Sequence, residues 1–447
     1  MTNKTKHTNT NKNVFASAAK QSVSQITDSE VAISPTKPKT LTPKLRFKEF
    51  EGEFKSKEFD EITAITRLAG YEYSQYWVED ENKEIIALRG YNIGKGKLEL
   101  RDLSYISDRL SMKLKRSRLS IGDIVYPCVG SIGNAVVIEE NNKFHIQQNI
   151  AKITCDSKTS PYFLVHFLTS DYGMKEVYKF NASGAQPNVL VGSLRKFKLN
   201  IPQLPEQQKI ASFLTSVDTK IQQLTTKKEL LTQYKKGAMQ QLFSQQLRFK
   251  PVQSEVEGDE NSKAFPDWEE KRLGDLIIEY KENSKVNDEF EVLTSSNKGL
   301  MLQSDYYGEN RLTERNNIGF NIIPENYITY RSRSDNRKFT FNLNNLGITG
   351  IISTYYPVFN SILGDPNFIV ENLNYYQNYI GKYSVGTSQT VLSYNQLKKI
   401  KFSLPSLKEQ QKIANYLSAL DTKIETVNQQ LLKTQTFKKG LLQQLFV

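Results

Sequence analysis

The 447-residue chain is poor in the residues from which disulfide scaffolds and metal centres are built. It has 2 cysteines, Cys128 and Cys155, which form no CxxC pair. Its 3 histidines, His7, His145 and His166, show no HxxxH spacing. A disulfide framework and a cysteine-rich zinc site are therefore excluded, and no metal site is expected. Two buried or half-buried thiols in a cytoplasmic protein are the simpler interpretation.

Long hydrophobic runs are also missing. No 18 apolar residues follow one another, so we expect no membrane-spanning helix. Only 38% of the residues are hydrophobic, but 23 tyrosines and 23 phenylalanines can build folded cores, which excludes full-length disorder. The length predicts two or three domains. The net charge of +12 favours a polyanionic partner, either nucleic acid or an acidic membrane surface.

Sequence signatures of catalysis are absent as well. The chain has no GxxxxGK[ST] loop, no (D/N/S)PP(Y/F) tetrapeptide and no FxGxG segment. Asp267, Glu269 and Lys271 imitate part of a nuclease pattern, but they lie too close in sequence to reach one metal from two strands. We therefore expect no catalytic residue and a protein that binds. Two alternatives stay open: a self-contained DNA nuclease or modifying enzyme with an unrecognised site, and a coiled-coil scaffold that does not bind DNA.

An internal repeat organises the chain. Residues 202–243 and 405–446 align without a gap, and 20 of the 42 positions are identical. Unrelated chains would match at about one position in fifteen to twenty. The similarity extends to three flanking pairs of segments: LRKFKLNIP (194–202) with LKKIKFSLP (397–405), LRFK (45–48) with LRFK (247–250), and FKSKEFDEI (54–62) with WEEKRLGDL (268–276). The chain thus reads as two halves, each with an opening strand, a module and a long helix.

Both repeats predict long helices with an apolar seam. Apolar residues recur every three or four positions, as in a coiled coil, and we expect the two helices to pair antiparallel. The alternative is that each helix folds back on its own module. In the second repeat, Ser406 and Glu409 have the spacing of a capping box. The residues predicted to pair the helices and to dock partners are Leu214, Val217, Ile221, Leu224 and Leu231 in the first repeat, and Leu417, Leu420, Ile424, Val427 and Leu431 in the second.

The segments between and before these helices predict α+β modules. Short β-type runs are bounded by Gly, Asn, Asp and Pro, and helical stretches intervene. The predicted fold class is α+β, with two tandem modules separated by two long antiparallel helices and related by an internal duplication. The predicted boundaries are a disordered tail at 1–40, a first module at 41–203, a helix at 204–245, a linker at 246–264, a second module at 265–404 and a second helix at 405–447.

Basic, aromatic and amide residues interleave in loop-like parts of both modules. Lys and Arg neutralise phosphates, Arg can also bind guanine through two hydrogen bonds, and Gln or Asn can read adenine. Any one of these residues would also fit a solvated loop. Together with the net charge they predict DNA binding by Arg67, Lys95, Lys97, Arg116, Arg118, Ser131, Gln147, Gln148, Asn149 and Gln186 in the first module, and by Arg331, Arg333, Arg337, Lys338, Tyr355 and Gln389 in the second.

The repeated pattern IPQLPEQQKIA…DTKI…KKG..QQLF resembles the conserved regions of type I restriction-modification specificity (S) subunits. Further segments resemble the same family: LRFKEFEGEF (45–54), IGDIVYPCVGSIGNA (121–135), and SGAQPNVL (183–190) with its counterpart GTSQTVL (386–392). In the second module, Glu325-Asn326 stands where the family pattern has Gly-Asp.

This resemblance implies a non-catalytic subunit with two target-recognition domains, each reading one half of a split double-stranded DNA sequence. It implies that the paired helices act as a spacer and dock two methyltransferase (M) subunits that methylate adenine. Restriction (R) subunits would add DNA translocation and cleavage. S-adenosylmethionine, ATP and Mg would then belong to these partners, and neither a cofactor in this chain nor a membrane partner is expected.

Overall fold

The computed structural model describes residues 41–180, 188–251, 264–308 and 316–447. They form two compact units. The first extends to Phe213 and includes Gly440–Val447, whereas the second comprises Leu214–Lys439. The predicted tail at 1–40, most of the predicted linker and Gln186 lie outside the described residues. Within the described ranges, no helix is both long and apolar enough to cross a membrane.

The first unit contains an α+β module with three small sheets. Their strand orders are β1-β9, β2-β8-β5-β6 and β4-β3-β7. The strands are β1 (Lys55–Glu58), β2 (Thr63–Arg67), β3 (Ile85–Leu88), β4 (Ser104–Ile106), β5 (Ile124–Pro127), β6 (Val136–Val137), β7 (Phe144–Ile146), β8 (Ile150–Cys155) and β9 (Lys198–Ile201). The helices are α1 (Phe59–Ile62), α2 (Gly70–Tyr76), α3 (Asp108–Lys113), α4 (Pro161–Leu168), α5 (Asp171–Phe180), α6 (Val191–Arg195) and the start of α7 (Leu204–Phe243).

The second unit contains a module of the same class. Its sheets have the orders β10-β21, β11-β19-β15-β17, β13-β12-β18-β14 and β16-β20. The strands are β10 (Glu269–Arg272), β11 (Ile277–Tyr280), β12 (Glu291–Ser296), β13 (Gly299–Leu302), β14 (Asn321–Ile323), β15 (Ile328–Tyr330), β16 (Arg333–Ser334), β17 (Phe341–Leu343), β18 (Gly350–Ile352), β19 (Val358–Ser361), β20 (Thr390–Val391) and β21 (Lys401–Leu404). The helices are α8 (Gln303–Tyr307), α9 (Pro366–Tyr375), α10 (Gln377–Ile380), α11 (Tyr394–Leu397) and α12 (Leu407–Leu445).

The two modules have the same strand topology, although the middles of their sequences differ. The order β2-β8-β5-β6 corresponds to β11-β19-β15-β17, and β4-β3-β7 corresponds to β13-β12-β18. In both modules the opening strand pairs antiparallel with the strand that precedes the long helix. The parallel pair β3 and β7 likewise matches the parallel pair β12 and β18. The predicted fold class, α+β with an internal duplication, is thus confirmed.

The turn before β15 shows that Glu325-Asn326 does not align with the Gly-Asp of the family pattern, which is Gly122-Asp123 in the first module. Asn326 has a φ of 63°, and Gly122 before β5 has a φ of 87°. The two amides make equivalent hydrogen bonds, from Gly122 to the carbonyl of Ile138 and from Asn326 to that of Asn344. Asn326, and not Glu325, therefore takes the place of the glycine. Asn is one of the few side chains that adopt this left-handed conformation readily.

The repeated LRFK segments are bound to the starts of the two long helices. Arg46 binds both carboxylate oxygens of Glu206, at 2.8 and 2.7 Å, and Arg248 binds Glu409 at 3.1 and 2.8 Å. Both carboxylates are almost completely buried. The predicted capping box at Ser406 is therefore wrong, since Glu409 is bound by Arg248 and the Ser406 hydroxyl has no partner in the described chain.

The last residues of each long helix fill a module core. In the second unit, the Phe243 ring lies 4.9 Å from that of Tyr375 and 5.8 Å from that of Phe368. In the first unit, the Phe446 ring at the chain's C-terminus lies 5.2 Å from that of Phe163 on α4. Phe243 and Phe446 occupy the same position of the repeat. The first module is thus completed by the last residues of α12, and the second by the last residues of α7.

Candidate DNA interface and helix pair

The end of strand β15 is held by hydrogen bonds on both sides of Arg331. The fully buried Tyr330 donates its hydroxyl to the carbonyl of Leu392 at 3.0 Å. The amide of Ser332 donates to the carbonyl of Tyr355 at 2.9 Å, and the amide of Leu392 donates to the carbonyl of Ser332 at 2.9 Å. The backbone around Arg331 is therefore fixed, whereas its guanidinium is exposed to solvent.

Arg331 lines two neighbouring cavities of about 460 and 310 Å³. Both cavities are also lined by Tyr307 and Tyr356. The larger one adds Tyr306, Arg333 and Lys338, and Asp335 is the one acidic residue among its described lining residues. Burial raises the pKa of Tyr356, and the charge of Arg331 opposes the shift. We call this site the Arg331 groove. It combines cations with aromatic faces in a concave surface, as a nucleic-acid site requires.

Other predicted residues of the second module lie next to this groove. The Arg333 guanidinium lies over the Tyr355 ring, 4.2 Å from its centroid, which is a cation–π geometry. The Gln389 side chain is 3.5 Å from the carboxylate of Asp335. Arg337 donates to the carbonyl of Gly386 at 3.4 Å, while Lys338 is exposed. The structure thus brings the six predicted residues of the second module together.

The first module carries different side chains at the end of strand β5, which corresponds to β15. The amide of Cys128 donates to Asn149, and the amide of Val189 donates to Cys128, in the same pattern as at Ser332. Pro127 therefore stands where the second module has Arg331. The predicted amide residues Gln147, Gln148 and Asn149 form the turn that corresponds to the turn ending at Tyr355. Ser131, four residues after Pro127, is half-buried.

Three predicted cations of the first module are exposed and make no ion pair in the described chain. They are Arg67, Lys95 and Arg116. Arg67 ends strand β2, and the neighbouring Thr66 donates its hydroxyl to the carbonyl of Arg116 at 3.3 Å. Lys95 forms an isolated bridge with Ala135, which is four residues after the half-buried Ser131.

Two other predicted cations are engaged within the module. Lys97 is 2.8 Å from Glu99. Arg118 is 13% exposed and binds the carboxylate of Asp108 at 2.7 Å, which gives it a structural role. Beside it, His145 is fully buried with Nδ1 3.2 Å from the Ser111 hydroxyl. Burial, with Arg118 and Lys152 nearby, lowers the pKa of His145 to about 3.

Sequence reasoning missed two aromatic residues of the Arg331 groove. Tyr306 and Tyr307 come from the short helix α8 and lie with their rings 4.8 Å apart. The adjacent tyrosines of this helix were a usable signal, because they repeat the Tyr355-Tyr356 pair on the other side of the groove. Their proximity to Arg331 depends on the fold and is not visible in the sequence.

The parts of α7 and α12 within the second unit run antiparallel and pack along the predicted seam. Leu224, Val427 and Leu431 are buried together, with Ile221 and Leu231 packed against them. Ile424 is half-buried in α12, and Leu214 and Val217 are buried in α7. Two predicted seam residues instead join the core of the second module: Leu417 and Leu420.

Polar residues bridge the two helices at equivalent positions of the repeat. Lys235 binds Asp421 at 2.8 Å, and Lys438 binds Asp218 at 2.5 Å, which is the same pair with the helices exchanged. Burial alone would lower the pKa of Lys235, but Glu371 and Asp421 outweigh it and raise that pKa. These polar residues therefore stabilise the helix pair through contacts between the two helices.

Comparison with known proteins assigns the family. The family model for the type I restriction modification DNA specificity domain matches residues 91–233 and 266–434, which is more than half of the chain. The chain therefore belongs to the type I restriction-modification DNA specificity family. One matched region lies in each half of the internal duplication.

Individual relatives agree with this assignment. The chain is 25% identical over 367 residues to a protein named as the MjaX specificity subunit of a type I restriction enzyme from Methanocaldococcus jannaschii, which covers 78% of this chain and 83% of that protein. It is 20% identical over 416 residues to the StySPI specificity subunit from Salmonella potsdam, which covers 86% and 85%. The crystal structure of a type I S subunit from M. genitalium shares the fold, with a TM-score of 0.56 and 15% identity over 91% of this chain and 99% of that one.

Proposed function

We propose that each module reads one half of a split double-stranded DNA target, and that the chain contributes sequence choice without catalysis. The observation that carries the proposal is the shared strand end of the two modules. The same fold presents Arg331, Arg333 and Tyr355 in one module, whereas the other has a buried Pro127 and the amide side chains of Gln147–Asn149. Equivalent positions with different side chains suit a protein that reads two different half-sites.

We further propose that the helix pair docks two methyltransferase subunits. The support is that the helices expose the same side chains twice: Gln208 and Gln411, Thr219 and Thr422, Lys220 and Lys423, Lys236 and Lys439, Gln240 and Gln443, and Gln241 and Gln444. A surface that occurs twice in one chain suits two copies of one partner. These partners would carry S-adenosylmethionine and methylate adenine, and restriction subunits would add ATP- and Mg-dependent cleavage.

The experiment that tests this function is an exchange of modules. Residues 50–200 are replaced by the equivalent region of a related chain, and modified adenines are mapped by sequencing DNA from cells that also contain the methyltransferase partner. One half of the methylated sequence is expected to change and the other to stay. A simultaneous change of both halves, or the absence of any sequence-specific methylation, would contradict the proposal.

The alternatives are tested with the purified full-length chain. A nuclease or modifying enzyme would alter DNA in the presence of Mg²⁺ without partners. A scaffold would show no sequence-dependent DNA binding even with bound methyltransferase subunits. The proposal requires no activity in the first experiment and sequence-dependent binding in the second.

A further inference from the structure

We infer that Arg331 is the residue with which the second module selects a guanine in its half-site. This assignment rests on the proposed function and names one base that the function leaves open. Arg binds the O6 and N7 acceptors of guanine in the major groove through two parallel hydrogen bonds. The argument depends on how Arg331 is anchored, on what surrounds it and on what its counterpart is in the first module.

The anchoring of Arg331 is suited to reading a base. Hydrogen bonds of Tyr330 and Ser332 fix the backbone on both sides of it, and they connect strand β15 to residues 355 and 392. The Ser332 hydroxyl adds a second bond to the carbonyl of Tyr355 at 2.7 Å. A side chain on such a backbone loses less freedom when it binds than one on an unsupported loop, and its position is defined well enough to discriminate between bases.

The surroundings of Arg331 leave its guanidinium available. It makes no hydrogen bond or ion pair in the described chain, whereas Arg118 of the first module is bound to Asp108. Tyr307 and Tyr356 line both cavities beside it. Flat aromatic walls suit the edge and methyl groups of a base pair better than a hydrated phosphate.

The neighbouring cations are better suited to phosphate. Arg333 already lies on the Tyr355 ring. Lys338 has no acidic partner in the described chain, and its ammonium is a point charge that cannot form the two parallel bonds which guanine offers. We therefore assign Lys338 to the DNA backbone and use it as the matched control for Arg331.

Because the first module lacks an arginine at the equivalent position, we expect this guanine contact only in the second half-site. Pro127 takes the place of Arg331 in the first module and has no donor at all. A substitution of Arg331 should consequently affect one base position of one half-site. The first half-site serves as an internal control in the same DNA molecule.

The test is selection of bound duplexes from a library with two randomised segments, using the full-length chain with its co-purified methyltransferase. The wild-type complex should prefer guanine at one position of the second half-site by about 5- to 150-fold, which corresponds to 1–3 kcal/mol. Arg331→Ala should abolish that preference and leave the other positions within about twofold. Arg331→Lys should reduce the preference, because lysine keeps the charge but lacks the planar pair of donors that matches O6 and N7.

The control variant separates a base contact from a phosphate contact. Lys338→Ala should weaken binding to all sequences alike and reduce the slope of log affinity against log salt by about one. The inference is overturned if Arg331→Ala behaves in this way, if it relaxes a position that does not select guanine, or if it changes nothing. A wild-type complex without any sequence preference would instead refute the proposed function.

Discussion

The C-terminal residues of α12 should determine the stability of the first module, and Phe446→Ala tests this. Phe446 is 3% exposed and contacts the rings of Phe163, Phe167 and Tyr172 in the first unit. Burying a phenylalanine side chain stabilises a fold by about 1.5–3 kcal/mol. Phe→Ala in a core also leaves a cavity, so the total loss of stability is typically about 3–5 kcal/mol. That is a large part of the roughly 5–15 kcal/mol that stabilises a domain.

The assay is hydrogen exchange of the native full-length chain, followed by mass spectrometry. A loss of 3–5 kcal/mol should accelerate exchange in strand β5 by roughly two to four orders of magnitude where exchange requires module opening. Strand β15 should be unaffected. Phe243→Ala is the matched control, because its ring packs on Tyr375 and Phe368 in the second unit, and it should accelerate β15 instead. Unchanged protection of β5 in Phe446→Ala would refute the reasoning.

Three further predictions concern the first module. Arg46→Ala should destabilise it by about 3–5 kcal/mol in denaturant unfolding, because the buried Glu206 carboxylate loses its partner, and Glu206→Gln in the same chain should recover part of the loss. The pKa of His145 is lowered to about 3, so below pH 6.5 the unfolded chain binds a proton that the folded chain does not. His145 should therefore lower stability by up to about 1.4 kcal/mol per pH unit between pH 6.5 and 3, and His145→Phe should remove that contribution to the slope. Arg116→Ala should lower the salt slope of DNA binding by about one, whereas Arg118→Ala should reduce thermal stability and leave the slope unchanged.

The helix pair could be predicted from the sequence because its determinants are local and repeated. A 3–4 spacing of apolar residues and a gapless duplication suffice to predict two long helices that pair. The role of the polar seam residues was harder to predict. Lys235 and Lys438 look like interruptions until the partner helix brings Asp421 and Asp218 next to them. Both residues of this pair are identical in the two repeats, so the duplication contained the signal.

The common topology of the modules could not be predicted from the sequence. Their strands are mostly three to six residues long, and a short buried strand requires little more than apolar side chains of suitable size. Many sequences meet that requirement, so the two copies can diverge without losing the strand order. The turn at Asn326 is an example. Asn326 has the positive φ that Gly122 has in the first module, so the two turns are equivalent although their sequences differ.

The candidate site was predictable by residue type but not by role. Arg118 and Arg331 are equally basic in the sequence and both lie near a strand. Only the fold shows that Arg118 is paired with Asp108, ten residues away, and that Arg331 faces tyrosines from two other segments. Charge patterns therefore identify the class of partner, whereas burial and pairing separate the residues that hold the module from those available to DNA.

The distribution of identity between the two halves has a physical explanation. Some of the identical residues lie on the exposed helix faces, and others have a partner inside the chain, as for Glu206 and Glu409 with their arginines and for Phe243 and Phe446 in their cores. Substituting one of these leaves a buried charge or a cavity, so neither copy can change alone. The strand end has no such restriction, since the buried Pro127 and the exposed Arg331 differ without disturbing the hydrogen bonds around them. A module can therefore change the DNA sequence it reads while keeping the contacts that attach it to the helices, and exchange of one module should leave the other half of the target intact.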